Sequence, residues 1–516
     1  MSRFCRLASA LSSLLNLIRR DLRSLRVIKA APRSIQSLGL YTYPLLLSAS
    51  GLMWMMTGCE LTRPNISYDA CEAGRALCSE SCNGLDDDED GSVDEGLSDA
   101  CIIMVGRVLS RSGIEGGFGR ALSSVRDIDG DGYSELLVSA TRATDQLSKD
   151  DPRRGEVSLY LGTNSSPEWT VRSGGDFGHT LTSGSFVSGS DDVVWCSGAP
   201  TREERNGIGR VICLNFEGRE INHYSSEGDF GAGLWLAAQS LPEGEQLVIT
   251  EPQWGFEAHD AAGQPEGDLD RRGRLLSLEV KNEQLEVARS WVGNGVEQRV
   301  GERVIAIPDV DGDGIGEWLM TGYSSENTRQ VWIVDGSIEG ELRRLKRFST
   351  SDDTNGYFGE SLAWGRWDSS SDDILLAFGA PYISIEREEG PVSTGRVYFT
   401  NGSGDPRGTN SARLSPDELF GLGLSMVTVE LGDEQLLVVA GPRLLRVISF
   451  EEGTPQVRQE FILPVGARPT LASSPELEPN GEVRVWIGLP ELEEVHLLTL
   501  RPASEDSLAP ENDTLN

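Results

Sequence analysis

The sequence predicts an all-β fold: a seven-bladed β-propeller of four-stranded antiparallel blades, preceded by a signal segment and a small Cys-rich acidic segment. Three observations predict it. A phrase made of Phe-Gly, a strand, Gly-Ala-Pro and a second strand recurs along the chain. It starts at Phe118-Gly119, Phe177-Gly178, Phe230-Gly231, Val300-Gly301, Phe358-Gly359, Phe420-Gly421 and Val465-Gly466, with spacings of 59, 53, 70, 58, 62 and 45 residues. A period of that size is one supersecondary unit, which cannot bury its own apolar face and must pack on its neighbours. Between the phrases, short β-branched and aromatic runs are broken by Gly and Pro, the pattern of antiparallel strands.

The repeat from Phe177 to Phe230 serves as the template. After Phe177-Gly178-His179-Thr180-Leu181 comes the apolar run Val193–Cys196, ending in Ser197-Gly198-Ala199-Pro200. Gly209–Leu214 is the next strand, and Glu220–Tyr224 is a weaker outer one. The same order returns after Phe358, with Ile374–Phe378, Gly379-Ala380-Pro381, Arg396–Phe399 and Ala412–Leu414. Four strands per repeat over seven repeats make a seven-bladed propeller.

These repeats resemble FG-GAP repeats, the blades of the integrin α-chain propeller, over about residues 118–500. The last repeat ends on Val495–Leu500 with no fourth strand, because 501–516 is a polar tail containing Pro502 and Pro510. Ahead of the first Phe-Gly lies Ile102–Leu109, an apolar run free for that slot. It is expected to complete the last blade and protect the edges of the ring. The chain is therefore divided into a signal segment (1–58), a linker (59–70), a Cys/Asp-rich segment (71–101), the propeller (102–500) and a disordered tail (501–516).

Two repeats carry an acidic nonapeptide between their first and second strands. In one, Asp127, Asp129 and Asp131 stand at positions 1, 3 and 5, with Tyr133 at 7 and Glu135 at 9. In the other these are Asp309, Asp311, Asp313, Ile315 and Glu317. Ca²⁺ takes six to eight oxygens in a flexible shell. Three carboxylates, a carbonyl at position 7 and a carboxylate at position 9 supply most of one, and two glycines let the chain curl. The alternative is an acidic turn that binds nothing. Both loops end in Glu where the family more often has Asp. The repeat at 358 keeps Asp368, Ser370 and Asp372 without the glycines and reads as a degenerate loop.

A third acidic element lies before the propeller. Asp86, Asp88 and Asp90, followed by Gly91 and then Asp94, match the early positions of an EF-hand-like loop. Position 12 is Leu97, so the bidentate Glu of a true EF-hand is missing. The segment resembles an Asp-rich metal-binding motif of secreted bacterial proteins, with Glu89 in place of its second Cys. The alternative is a short acidic linker.

Residues 1–37 hold eight Lys or Arg against Asp21, and 38–57 is apolar, which describes an export signal. Thr57-Gly58-Cys59 resembles a bacterial lipobox, implying a lipid on Cys59 and attachment to the cell envelope through that anchor alone. The rival reading is an uncleaved membrane anchor. Cysteines of an exported chain are expected to pair. Cys71, Cys78, Cys82 and Cys101 crowd a segment with little core, and their connectivity is open. Cys196 and Cys213 fall on consecutive strands, as a cross-strand bridge or as two buried thiols.

The formal charge is −35, and setting aside 1–58, with eight basic residues and one acidic, takes it to −42. Such a surface repels nucleic acid. His179, His223, His259 and His496 are scattered over different repeats, and no nucleophile elbow or phosphate loop is present. The expected function is a non-enzymatic, calcium-binding adhesion module that grips a protein or glycan. The alternative is a propeller-fold polysaccharide lyase or hydrolase with its site on the face opposite the calcium loops. In integrin-like propellers the loops between second and third strands project from that opposite face and help bind ligand, and the resemblance implies the same here, where those loops (141–154, 251–272 and 382–394) are the long ones. The middle one carries Trp254, Phe256 and His259, residues suited to stacking on a sugar or anchoring a partner. A tolerated surface insertion is the plain alternative.

Overall fold

The computed structural model describes residues 103–501, apart from stretches of the connecting loops (among them 111–115, 143–154, 201–208, 227–230, 260–264, 351–355, 402–412, 415–420 and 465–467). Cys59, the four cysteines between Cys71 and Cys101, and Asp86, Asp88, Asp90 and Asp94 lie outside the described residues, as does the tail after Arg501.

Seven antiparallel sheets follow one another along the chain. Blade 1 is Phe118–Val125, Glu135–Ala140, Gly155–Tyr160 and Trp169–Ser173. Blade 2 is Leu181–Gly184, Val194–Ala199, Arg210–Leu214 and Glu220–Ser225. Blade 3 is Leu236–Leu241, Gly244–Glu251, Arg274–Lys281 and Gln284–Val292, with Gly340–Glu341 added in parallel at its outer edge. Blade 4 is Arg303–Ile307, Glu317–Tyr323, Arg329–Val334 and Arg344–Phe348. Blade 5 is Leu362–Gly365, Leu375–Ala380, Arg396–Thr400 and the short Arg413–Leu414. Blade 6 is Ser425–Leu431, Glu434–Gly441, Leu444–Glu451 and Thr454–Ile462. Blade 7 takes Thr470–Ser473, Val483–Leu489 and Glu494–Leu500 from the end of the chain and Ile103–Ser110 from its start.

The ring closes as the sequence leads one to expect. Ile103–Ser110 runs antiparallel to Glu494–Leu500, from Ile103 opposite Leu500 to Ser110 opposite Glu494. The first strands of consecutive blades neighbour one another all the way round, and blade 7 returns to blade 1. The seam has a further tie in Glu493, whose carboxylate accepts from the backbone N–H groups of Gly116, Gly117 and Phe118 at 2.8, 2.6 and 2.8 Å.

The core lies between blades rather than within them. Seven apolar clusters form, each drawn from two neighbouring blades, so every blade is walled on both faces. This explains why second strands read as unbroken apolar runs: Glu135–Ala140 and Val194–Ala199 are buried at every residue, whereas the outer Trp169–Ser173 alternates. In blade 2, Cys196 and Cys213 stand opposite each other in register and form a disulfide.

The structure corrects the register of the repeat in three blades. Gly119, Gly178, Gly301 and Gly359 have left-handed backbones and lie against the preceding blade. Their counterparts in blades 3 and 6 are Gly233 and Gly423, not Gly231 and Gly421. A Cβ on Gly233 would fall 2.6 Å from the Arg210 carbonyl oxygen, and one on Gly423 would fall 2.9 Å from Gly379 Cα. Buried Ala232 and Leu422 take the place of Phe118 and Phe177. Gly231 and Gly421 instead fill the left-handed position just before, which Gly117, Asp176, Arg299 and Tyr357 occupy in the other blades. In blade 7 the same logic puts Arg468, not Gly466, at the glycine position. Thr470 Oγ1 donates to the Gly119 carbonyl at 2.7 Å, as Thr180 and Ser361, each two residues after its glycine, donate to Gly233 and Gly423 at 3.0 and 2.7 Å.

Two outcomes follow from this architecture. Gly233→Ala is expected to cost about 3 kcal/mol, from a left-handed backbone and overlap with backbone atoms, and Gly231→Ala only about 1–2 kcal/mol from the backbone alone. Urea denaturation of the two variants decides between the registers. Deleting 100–110 should abolish cooperative unfolding rather than trim the fold, because it exposes the edge at Glu494–Leu500; a deletion protein with an unchanged melting temperature contradicts the closure.

Candidate cation loops and the opposite face

The strand order fixes what each face carries. Loops between first and second strands emerge on one face, and loops between second and third strands emerge on the other, together with the segments that lead into each blade. Both acidic nonapeptides are of the first kind.

In blade 4 the loop is complete. Ligand atoms of Asp309, Asp311, Asp313 and Glu317 lie within 4.8 Å of one another. The chain is wrapped around its own carboxylates. Asp309 accepts from the N–H of Gly312 at 2.6 Å and of Gly314 at 2.8 Å, Asp313 from Ile315 at 2.8 Å, and Glu317 from Val310 at 2.7 Å. The hydrogen bonds from Gly314 and Gly312 hold the Asp309 carboxyl below its ordinary range.

Blade 1 repeats the wrap with one difference. Asp127 accepts from Gly130 at 2.7 Å and Gly132 at 2.8 Å, and Glu135 from Ile128 at 2.9 Å. Asp127, Asp129 and Glu135 converge, but the Asp131 carboxylate stands apart from that group. It accepts from Tyr133 N–H at 2.8 Å and packs where a side chain on residue 162 would be, a space left open by Gly162.

The donors fit a hard cation. They are all oxygens, and Glu135, 0 % exposed, keeps a buried Oε2 with no hydrogen-bond partner. Burial pushes both closing carboxyls, Glu135 and Glu317, up to about 7, and the neighbouring aspartates add to the effect for each. A bound divalent cation would satisfy the free oxygen and offset that crowding of negative charge. The residues can hold a metal ion. No other such cluster occurs among the described residues. Asp368 in blade 5, read as the remnant of a third loop, is used structurally: it accepts from Ser370 N–H at 2.9 Å and, across to blade 6, from Gly453 N–H at 2.6 Å.

The opposite face is richest over blades 3 to 5. Trp254 is partly buried beneath Arg274, whose guanidinium lies 4.9 Å from the ring centre and pairs with Glu251. Phe256 falls outside the described residues. His259 lies on the hairpin strand Glu257–His259, which pairs with Pro265–Leu269. A second hairpin, Ser384–Arg387 with Gly390–Ser393, rises from blade 5.

Sequence reading missed two exposed aromatics of this face. Tyr357 and Tyr382 are 52 % and 39 % exposed and meet edge to face at 5.2 Å. Arg329 lies 5.1 Å from the Tyr357 ring and bridges Glu360 at 2.9 Å and Glu302 at 3.2 Å, and Arg303 pairs with the same Glu360. Burial alone would raise the Glu360 carboxyl; Arg303 and Arg329 outweigh it and hold the group below its ordinary range. The available signal was positional. Tyr357 immediately precedes Phe358-Gly359, where the first repeat has Gly117, and a Tyr held at φ 57° is costly backbone that marks the spot.

Among known families, the FG-GAP repeat matches residues 118–160, the whole of blade 1 up to its third strand. No curated protein matches the chain.

At a hundredfold excess over its Kd, a divalent cation should stabilise the fold by about 2.7 kcal/mol per occupied loop. Asp309→Ala with Asp311→Ala should remove the share of blade 4 and leave that of blade 1, read as the cation-dependent shift in melting temperature. An unchanged shift in the double variant would show that the blade 4 loop is an empty turn.

Proposed function

We propose that this protein is a calcium-loaded FG-GAP propeller, anchored to the cell envelope through lipid on Cys59, that binds a protein or glycan with the face opposite its calcium loops. The observation that carries this reading is the division of the faces. Two wrapped carboxylate loops stand on one, and the long hairpin-bearing loops, with exposed Tyr357 and Tyr382, stand on the other. Calcium suits the loops because each gathers several carboxylates from one tightly curled turn, a donor set that Ca²⁺ takes in a flexible shell, whereas Mg²⁺ demands a near-octahedral one and keeps its waters. Tyr, Trp and Arg are the residue types that dominate binding hot spots.

Two of the four histidines are already engaged by neighbouring carboxylates. His223 pairs with Glu220 on an outer strand, and His496 pairs with Glu494 on a third strand. A cavity of about 600 Å³ opens at the calcium-loop end of the ring among Ser124, Ser183, Ser185, Glu245 and Glu279, on the face away from the long loops.

The test is binding of the full chain to arrays of glycans and of purified envelope and matrix proteins. Trp254→Ala and the pair Tyr357→Ala, Tyr382→Ala should reduce a calcium-dependent hit at least about tenfold, as loss of hot-spot residues does, while leaving the calcium-dependent melting shift intact. Hits that survive both variants would place the binding surface elsewhere. Turnover of an arrayed polysaccharide would favour the enzyme.

A further inference from the structure

The two cation loops differ in what they touch outside themselves. The blade 4 loop is tied to its neighbour by a backbone carbonyl: Gln239 Nε2, from blade 3, donates to Gly316 at 2.7 Å. The blade 1 loop leans on side chains from blade 7, more than three hundred residues away in sequence. Glu478, in the turn between the first and second strands of blade 7, is 4 % exposed. Its Oε1 lies 3.5 Å from the backbone N of Ser134 and 3.8 Å from Arg484 Nε, and its Oε2 is buried with no partner. Arg484 places its guanidinium 4.2 Å from the Tyr133 ring centre and donates to the Gly162 carbonyl at 2.9 Å. Pro479 packs against Gly132 closely enough that a Cβ there would sit 3.0 Å away.

The peptide N–H that faces Glu478 belongs to the same planar unit as the Tyr133 carbonyl. That carbonyl occupies position 7 of the loop, the place of a backbone ligand. A carboxylate accepting the N–H makes its carbonyl a better donor to a cation and fixes its direction, as second-shell partners do in metal sites. Blade 7 is also the one blade made from both ends of the chain.

We infer that Glu478 is a positioning residue for the blade 1 cation loop, and that a cation bound there clasps the seam of the ring, whereas one bound in blade 4 does not. This rests on the reading of the loops as calcium sites. The groups that make the clasp are Tyr133 and Ser134 on one side and Glu478, Pro479 and Arg484 on the other.

The experiment is calcium titration of the full chain by calorimetry, joined to amide hydrogen exchange of Ile103–Ser110 and Glu494–Leu500 with calcium and with chelator. In the wild type, calcium at a hundredfold excess over Kd should slow exchange of these strands by about a hundredfold, the factor 1 + [L]/Kd. Asp127→Asn with Asp129→Asn should abolish that slowing, and Asp309→Ala with Asp311→Ala should leave it. Glu478→Gln, which keeps the shape of the side chain, should weaken the blade 1 site about tenfold and cut the slowing in step, with affinity at the blade 4 loop unchanged; exchange in chelator equal to wild type shows that the variant is folded. Calcium binding at both loops with equal protection of the seam in Glu478→Gln and wild type overturns the clasp alone. No calcium binding in the wild type overturns the clasp and the calcium reading together.

Discussion

Every blade here depends on having a neighbour on each side. Second strands, and the third strands of blades 1 to 6, are largely buried on both faces, and the seven apolar clusters sit between blades, so no blade carries a core it can call its own. An open ring would leave two apolar walls in water and an unpaired strand edge. Closure is therefore the constraint on which the rest depends. The seam concentrates polar ties that serve it: the Glu493 carboxylate on three consecutive amides, the Thr470 hydroxyl on the Gly119 carbonyl, and the edge strand from the start of the chain.

Much of this was legible in the sequence because its causes are local. Strand period, the Gly-Ala-Pro stops and the spacing of the acidic loops each express what a few adjacent residues must do. The slot for Ile103–Ser110 could be inferred by subtraction, since the last repeat ran out of strands. The register of blades 3, 6 and 7 was not legible, and the reason is physical. Side chains on a strand alternate with a period of two, so a slip of two residues returns every side chain to its own face. Phe230-Gly231-Ala232-Gly233 and Phe420-Gly421-Leu422-Gly423 each offer two readings of the same phrase. Only contact with the preceding blade distinguishes them.

What sequence could least reveal is contact between distant residues. Asp131 has the right spacing for its loop, yet its carboxylate stands outside the converging group, in space left by Gly162 of another turn. Glu478 lies in a segment with no motif, and its role shows only when blade 7 is folded against blade 1. Arg274 lies over the Trp254 ring, and Tyr357 and Tyr382, which carried no signal beyond position, are exposed.

The edge strand of blade 7 has a mechanical consequence. A pull delivered from the N-terminal side reaches the ring at Ile103, at one end of an eight-residue strand whose partner is Glu494–Leu500. Tension directed along that strand loads its ladder in shear, sharing the force among several hydrogen bonds at once. Tension directed across it unzips them one at a time from Ile103 toward Ser110. The tolerance of the whole ring to traction is thus set by one pair of strands and by the angle at which the force arrives.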